Sequence, residues 1–282
     1  MNKLVLLLLL LVCLHAQTPG ADGLSRAITA RRVSHPTIGQ ASTPGASVVA
    51  QSRILPRILS DNYWETTVVL LNTGSASVSF QQFFFATNGK PASYTIHTQG
   101  GSPDLTTSAI QGVLVPGSTL RLDLSDASGA VREGWSLLTY DEGVDGYAII
   151  RRRGLSGSFQ SETTLPFSSM LDYSVYMPFD NALGFRSQLT LVNPAGNLSS
   201  QVRLTYLNPQ GQVLLIDSLT LRPSQQMTLV LPDVYPDLAN KSGSVLVEAD
   251  IDRFSVTGLR CNDAYGTIVA LPTMNRGTLF AQ

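Results

Sequence analysis

The stretch Thr67-Val68-Val69-Leu70-Leu71-Asn72 in the first half of the chain is answered by Gln188-Leu189-Thr190-Leu191-Val192-Asn193 in the second. Both are aliphatic, β-branched runs closed by an asparagine and turn residues, Thr73-Gly74 in one and Pro194-Ala195-Gly196 in the other, as a strand running into a tight loop reads. The match extends in both directions and keeps its order. Upstream, Leu55-Pro56 corresponds to Met177-Pro178. Downstream, the runs Val78 to Phe85 and Ser200 to Leu207 close on Asn88-Gly89-Lys90 and Asn208-Pro209-Gln210-Gly211, residues that tolerate turn backbone angles. Leu114-Val115-Pro116-Gly117-Ser118 corresponds to Leu221-Arg222-Pro223-Ser224-Gln225. Gly134-Trp135-Ser136-Leu137-Leu138 then matches Gly243-Ser244-Val245-Leu246-Val247, and Ala148-Ile149-Ile150-Arg151 matches Thr257-Gly258-Leu259-Arg260, both at an offset of 109. Each copy ends on Leu-Pro, at 165–166 and 271–272. Such ordered self-similarity marks a duplicated unit.

The repeats span residues 53–168 and 172–275, about 100 residues each, the usual size of one sandwich domain. In the second copy the pattern predicts strands near 187–193, 199–207, 212–221, 225–231, 243–250, 254–261 and 266–272. Several alternate cleanly, with Val202, Leu204 and Tyr206 on one face and Arg203 and Thr205 on the other, the period of a half-buried strand. Short antiparallel strands with one apolar face must bury it against a second sheet. The expected fold is therefore all-β, with two tandem immunoglobulin-like antiparallel β-sandwich domains. Ser93 to Ser108, present only in the first copy and rich in Gly, Thr and Ser, is placed in a loop at one end of its sandwich.

Ahead of the repeats stands Met1-Asn2-Lys3 and an apolar run from Leu4 to Val12, which reads as a signal peptide over residues 1–16 with cleavage before Gln17. The apolar core is shorter than a membrane-spanning helix, so no membrane span is expected in the mature chain. A lipid anchor at Cys13 is disfavoured by the bulky Leu11 and Val12 before it. Residues 17–52, rich in Thr, Pro, Gly, Ala and Ser, read as a flexible linker. The expected location is secreted or cell envelope. The mature chain retains one cysteine, Cys261, so an intrachain disulfide is excluded, and a buried apolar role is expected for it. Loss of Lys3 leaves 18 basic against 20 acidic residues, net −2, and no basic stripe of the kind nucleic acid requires. Charged residues are only 14% of the chain against about 25% in an ordinary domain, as expected where sheet faces carry Ser and Thr.

The candidate chemistry is sparse. A Ser–His–acid relay needs a histidine beside the nucleophile, and the mature chain offers only His35 in the linker and His97 in the insertion. Gly154-Leu155-Ser156-Gly157 is one residue short of a nucleophile elbow. Two isolated histidines and one cysteine do not supply a catalytic zinc site. No catalytic residue is assigned, and the chain is expected not to be an enzyme. A sandwich glycosidase, which needs two carboxylates, is the third reading, because the acids fall mainly in predicted turns. Asp141-Glu142-Gly143-Val144-Asp145-Gly146 spaces its acids and glycine as a calcium loop does, although the twelfth position is Arg152 rather than glutamate. Asp141, Asp145, Asp250 and Asp252 are thus the candidate metal ligands, with calcium the one cofactor considered; solvated turn residues account for them more simply. Arg151-Arg152-Arg153 is read as structural because Arg151 has a repeat partner in Arg260. Tyr63 and Trp64 are the candidate ligand-binding aromatics. At strand spacing Phe83 and Phe85 share one face and Phe84 takes the other, so at least one set belongs in a core.

The phrases Thr-Thr-Val-Val-Leu-Leu-Asn-Thr-Gly (66–74), Leu-Thr-Leu-Val-Asn-Pro (189–194), Gly-Ser-Val-Leu-Val (243–247), Val-Thr-Gly-Leu-Arg (256–260) and Ala-Leu-Pro (270–272) resemble secreted bacterial proteins with tandem immunoglobulin-like β-sandwich repeats, mostly of unassigned function. The resemblance covers roughly residues 53 to 275 and implies the fold and the exported location, with no catalytic residues. The leading expectation is an exported, non-enzymatic protein making surface or extracellular contacts with a protein or polysaccharide. A carbohydrate-binding module is the alternative. Self-association through sheet edges is also open.

Overall fold

The computed structural model describes residues 51–98, 104–125, 132–140, 142–154, 158–169, 174–251 and 254–276. The expected signal segment, the linker up to residue 50, and the acids Asp141 and Asp252 lie outside the described residues. Short alternating runs between Gly, Pro and Asn turns make strands throughout. The first half holds β1 (Gln51–Ser60), β2 (Trp64–Asn72), β3 (Val78–Ala86), β4 (Tyr94–Thr98), β5 (Leu105–Thr107), β6 (Ala109–Leu114), β7 (Thr119–Ser125), β8 (Arg132–Tyr140), β9 (Val144–Arg153), β10 (Phe159–Pro166) and β11 (Ser168–Ser169). The second holds β12 (Ser174–Asp180), β13 (Arg186–Val192), β14 (Ser200–Leu207), β15 (Val213–Leu221), β16 (Gln226–Val230), the single turn α1 (Leu231–Val234), β17 (Ser242–Ala249), β18 (Ser255–Asn262), β19 (Thr267–Leu271) and β20 (Met274–Asn275).

The strands form antiparallel sheets in matching pairs. The first half has β11-β1-β8-β3-β6 and β10-β9-β2-β7-β4-β5; the second has β20-β12-β17-β14-β15 and β19-β18-β13-β16. With β4 and β5 set aside, the orders coincide strand for strand. The insertion departs from expectation: its described residues include two strands. Tyr94 and Ile96 are buried while Thr95 and His97 are not, and that alternation lets β4 pair with β7 and β5 with β4, widening the sheet by two strands.

Each pair of sheets closes on one core. In the first half Leu55, Phe80, Phe84 and Leu138 from one sheet meet Val68, Leu70, Tyr94, Leu122 and Ile150 from the other. In the second, Met177, Val202, Leu204, Tyr206 and Val247 meet Leu189, Leu191, Leu229 and Val256. Burying each such side chain contributes about 1.5–3 kcal/mol. The asparagine that closes β2 and β13 is fully buried in both halves. The Asn72 Nδ2 donates to the carbonyls of Ala76 and Leu114, and its Oδ1 accepts from Gly74 N. The Asn193 Nδ2 donates to Leu198, Leu221 and Arg222, and its Oδ1 accepts from Ala195 N. Leu114 and Leu221 are themselves repeat partners, so one amide lock ties the same two loops in each copy.

The halves are joined by a buried junction. Ile54, Trp135 and Val192 form a shared apolar cluster, and Phe85 stacks on Trp135 with ring centroids 4.3 Å apart. The three phenylalanines are thus divided, Phe84 in the first core and Phe85 on the opposite face at the junction. Trp135 Nε1 donates to the Ser224 carbonyl at 3.0 Å. A break in the β1–β8 register between Leu55 and Ile58 takes Pro56 out of the ladder, and the Gln226 amide donates to the Pro56 carbonyl at 2.7 Å and to that of Gly134 at 2.9 Å. Arg57, 6% exposed, donates to Gln188 Oε1 at 2.6 Å and lies 3.2 Å from the Glu133 carboxylate. Burial lowers the pKa of its guanidinium, with Glu133 opposing that shift. Cys261 is buried as expected and joins the first half's core with Leu259 and Ile268; burial pushes its thiol up. Finally, edges β10 and β19 cover each other, with Ser161 Oγ accepting from Ile268 N and Thr163 Oγ1 from Ala270 N. This leaves neither strand open to a foreign edge.

Candidate functional site

The two most exposed large apolar side chains among the described residues, Leu183 and Tyr265, lie on the β12–β13 and β18–β19 connections, beside the start of β2 and the end of β9. Leu183, in the turn Ala182–Gly184, is 84% exposed and held at φ +56. A branched aliphatic residue in the left-handed region stores strain, and such outliers concentrate at functional positions. Its carbonyl accepts from Asn262 Nδ2, and Asn262 Oδ1 accepts in turn from the backbone of Ala264 and Tyr265. The Tyr265 side chain is 75% exposed. Beside it, Asp263 accepts from Arg152 at 2.9 Å across the two halves and lies 3.6 Å from Arg186, which also pairs with Asp233. The Arg260 guanidinium sits 3.5 Å from the centre of the Phe185 ring and bonds Asp180.

The two aromatics expected at a ligand site stand at the margin of this surface and differ in availability. Tyr63 is half exposed in the β1–β2 turn, where Asp61 Oδ1 accepts from its backbone N–H. Trp64 packs against the first core, and the Arg152 guanidinium lies over its ring at 5.7 Å. That packing holds Trp64 as part of the wall, and the most exposed ring among the described residues is Tyr265, which stands in no motif of the sequence. The arginine run is engaged throughout. Arg151 contacts Glu65 and Glu162 at 3.2 and 3.0 Å, Arg153 pairs with Glu65, and both flank the Phe159 ring. The structural reading of that run is the one its contacts support.

The candidate metal ligands are not assembled among the described residues. Asp145 is on β9, paired with Arg53 at 3.2 Å and accepting from Gly146 N. Asp250 follows β17 in the other half and accepts from Ser200 Oγ and Gln201 N. No group of three or more His, Cys, Asp or Glu among the described residues is arranged to hold an ion. Asp250 does border a shallow, open depression of about 320 Å³ with Gln201, Arg203, Ser218 and Glu248, where Glu248 is tied to Arg276 at 3.1 Å.

One expectation is overturned. His97, expected in a loop, lies instead in β4 between two groups. Its Nδ1 is 2.6 Å from Asp104 Oδ1 and its Nε2 is 3.0 Å from Ser125 Oγ. The cause is strand pairing: Ser125 faces Thr95 and Asp123 faces His97 across β7–β4, so His97 and Ser125 are diagonal neighbours on the outer face. On the same face the Asp123 carboxyl is pushed up by burial, but hydrogen bonds from Arg121 and Thr67 and the charges of Arg121 and Arg151 hold it below its ordinary value.

No protein-family model, curated protein or solved structure matches this chain. No helix among the described residues is long and apolar enough to cross a membrane.

Proposed function

We propose that this chain is an exported protein of two tandem immunoglobulin-like β-sandwich domains whose principal task is contact with a protein or polysaccharide at the cell envelope. The Leu183–Tyr265 surface makes that contact. The observation that carries the reading is Leu183: an almost fully exposed leucine held at φ +56 on a turn buttressed by Asn262. Nothing in folding favours that residue there, since glycine adopts this backbone without strain and exposure gains no burial energy. A partner that covers the side chain explains its retention. The signal-like segment 1–16 supports export. The paired sheet orders and the repeated amide lock support duplication of one sandwich unit. The junction fixes the halves relative to each other, so the surface shared by Arg152 of one half and Asp263 of the other is presented as one rigid platform.

The carbohydrate-binding alternative is favoured by one observation, the 75% exposed Tyr265 ring beside Arg152 and Asp263, groups able to stack on and hydrogen-bond a sugar. The test is retention of the purified protein on envelope fractions and on a panel of insoluble polysaccharides, with Leu183→Gly and Tyr265→Ala as variants. Leu183→Gly is expected to leave stability unchanged or raise it by about 0.5–1 kcal/mol, through relief of strain, and to lower envelope retention at least tenfold. Loss only with Tyr265→Ala, on one polysaccharide, selects the sugar reading. Equal retention of both variants and the parent refutes this surface as the contact.

A further inference from the structure

We propose that Ser125, His97 and Asp104 form a reactive-serine site able to take up an acyl group from exposed esters. The site is separate from the contact surface and does not depend on that reading. The geometry is that of a relay: nucleophile Oγ to Nε2 at 3.0 Å, and Nδ1 to a carboxylate oxygen at 2.6 Å. These are the two contacts, on the two nitrogens, by which an imidazole accepts the serine proton while the carboxylate fixes its tautomer. Ser125 Oγ is also 3.3 Å from the Thr95 carbonyl, the longer of its two contacts. A rigid frame holds the pair: His97 is in β4 and Ser125 ends β7, with Tyr94, Ile96, Leu122 and Leu124 buried beneath them. Asp104 adjoins β5, which pairs with β4, and the hydroxyls of Thr95 and Thr106 bond across that pair at 3.0 Å. The charged groups nearest His97 on this face are Asp104 itself, Asp123 opposite it and Arg121, which is bound to Asp123; Arg151, Glu65 and Glu162 lie farther along the same face and pair with one another.

In the step proposed, Ser125 Oγ attacks the ester carbonyl as its proton passes to His97 Nε2. The carbonyl-to-leaving-oxygen bond then breaks, and the leaving alcohol takes the proton from Nε2. Water repeats the sequence and releases the acid, returning Ser125 to its hydroxyl form. Asp104 is a positioning residue; Ser125 and His97 touch the reacting atoms. The site is open, with the His97 and Asp104 side chains 45% and 57% exposed. It therefore suits esters displayed on a polymer or surface, which reach a serine on a sheet face without entering a pocket.

The test uses the full chain and a fluorophosphonate probe. Oγ–P bond formation displaces fluoride, and the modified peptide is identified by mass spectrometry. The expected result is labelling at Ser125 that is lost in Ser125→Ala and slowed at least about 100-fold in His97→Gln, the usual contribution of a general base. Its rate should also fall in Asp104→Asn and recover in Asp104→Glu, which restores a carboxylate to His97 Nδ1. Loss and rescue of the labelling rate at an unchanged unfolding midpoint is a readout which a purely structural role for Asp104 would not give. His97→Gln keeps a polar side chain at the strand position, and an unchanged unfolding midpoint separates loss of chemistry from loss of the hairpin. Absence of labelling in the folded parent, or labelling at Ser125 with the same rate in His97→Gln, overturns the proposal.

Discussion

Replacing Asn193 with alanine tests the reading that one buried amide fixes the loop architecture of each repeat. The side chain is fully buried. Its Nδ2 reaches the carbonyls of Leu198, Arg222 and Leu221 at 2.8, 3.1 and 3.3 Å, and its Oδ1 accepts from Ala195 N at 3.0 Å. Two amide hydrogens shared among three carbonyls, and one accepted bond, amount to about three net hydrogen bonds at about 1 kcal/mol each. The Leu221 carbonyl is in a buried bond and loses this donor without gaining solvent, adding about 1 kcal/mol. The expected loss is therefore about 3–4 kcal/mol, a large share of a domain's net stability. Asn193→Asp at neutral pH should cost at least as much, because it keeps the acceptor, removes both donors and sets a charge against carbonyl oxygens. The assay is urea unfolding followed by far-UV circular dichroism, which reports all the strands, and by tryptophan fluorescence. The latter reports the first half and the junction, since Trp64 and Trp135 are the only tryptophans. Asn72→Ala should give a matching loss. A destabilisation below about 1 kcal/mol for either alanine variant would refute the lock, placing it with ordinary surface substitutions.

Three further outcomes follow from local geometry. Gly243→Ala puts a Cβ 1.9 Å from the Leu207 carbonyl oxygen, and Gly134→Ala one 2.2 Å from that of Phe85; both should lower the thermal midpoint sharply or abolish folding, whereas Gly196→Ala, which meets open space, should change stability by less than about 0.5 kcal/mol. Gln226→Leu removes the amide bonds to Pro56 and Gly134 and should cost about 2–3 kcal/mol, splitting the urea transition so that fluorescence and circular dichroism no longer coincide. Asp123 is held below its ordinary value in the folded state, so its stabilisation is present above the unfolded carboxyl's pKa and is lost as pH falls through the lowered one; Asp123→Asn should therefore flatten the acid limb of the stability profile, and an unchanged limb contradicts that linkage.

The strands were legible where apolar alternation ran between strong turn signals. Those expected near 187–193, 199–207 and 212–221 are β13, β14 and β15 to within one residue at either end. Tyr94-Thr95-Ile96 carries the same alternation, but within a Gly, Ser and Thr-rich insertion it is too short to outweigh its neighbours, so the pattern predicts a loop where β4 forms. The junction was illegible for a different reason. Trp135, Gln226 and Arg57 read as ordinary strand residues, because a face buried by the other half has the same local pattern as one buried by a core. Ser125 and His97 are 28 residues apart and become neighbours only through the β4–β7 register. Leu183 carried no local mark, since neither its exposure nor its positive φ is written in Asn181-Ala182-Leu183-Gly184.

The insertion falls where the two halves differ most in surroundings. In the second half, β16 is the outer strand of its sheet and lies against the first half: Gln226 N donates to the Thr87 carbonyl, and Thr228 Oγ1 to Glu133 at 2.6 Å. Its counterpart in the first half, β7, pairs instead with β4 of the insertion. An exposed outer strand invites pairing with another chain, and repeat arrays commonly cap such surfaces with an atypical element. The β4–β5 hairpin serves as that cap. It carries short strands, Thr and His on its outer face, and an aspartate at its margin, features that suit an edge meant to face water. The same pairing brings His97 beside Ser125, so the reactive-serine geometry arises from the device that closes the edge. Deleting the hairpin should therefore have two separable effects, concentration-dependent association through bare β7 and loss of Ser125 labelling. Association in Ser125→Ala with the hairpin intact would break that connection.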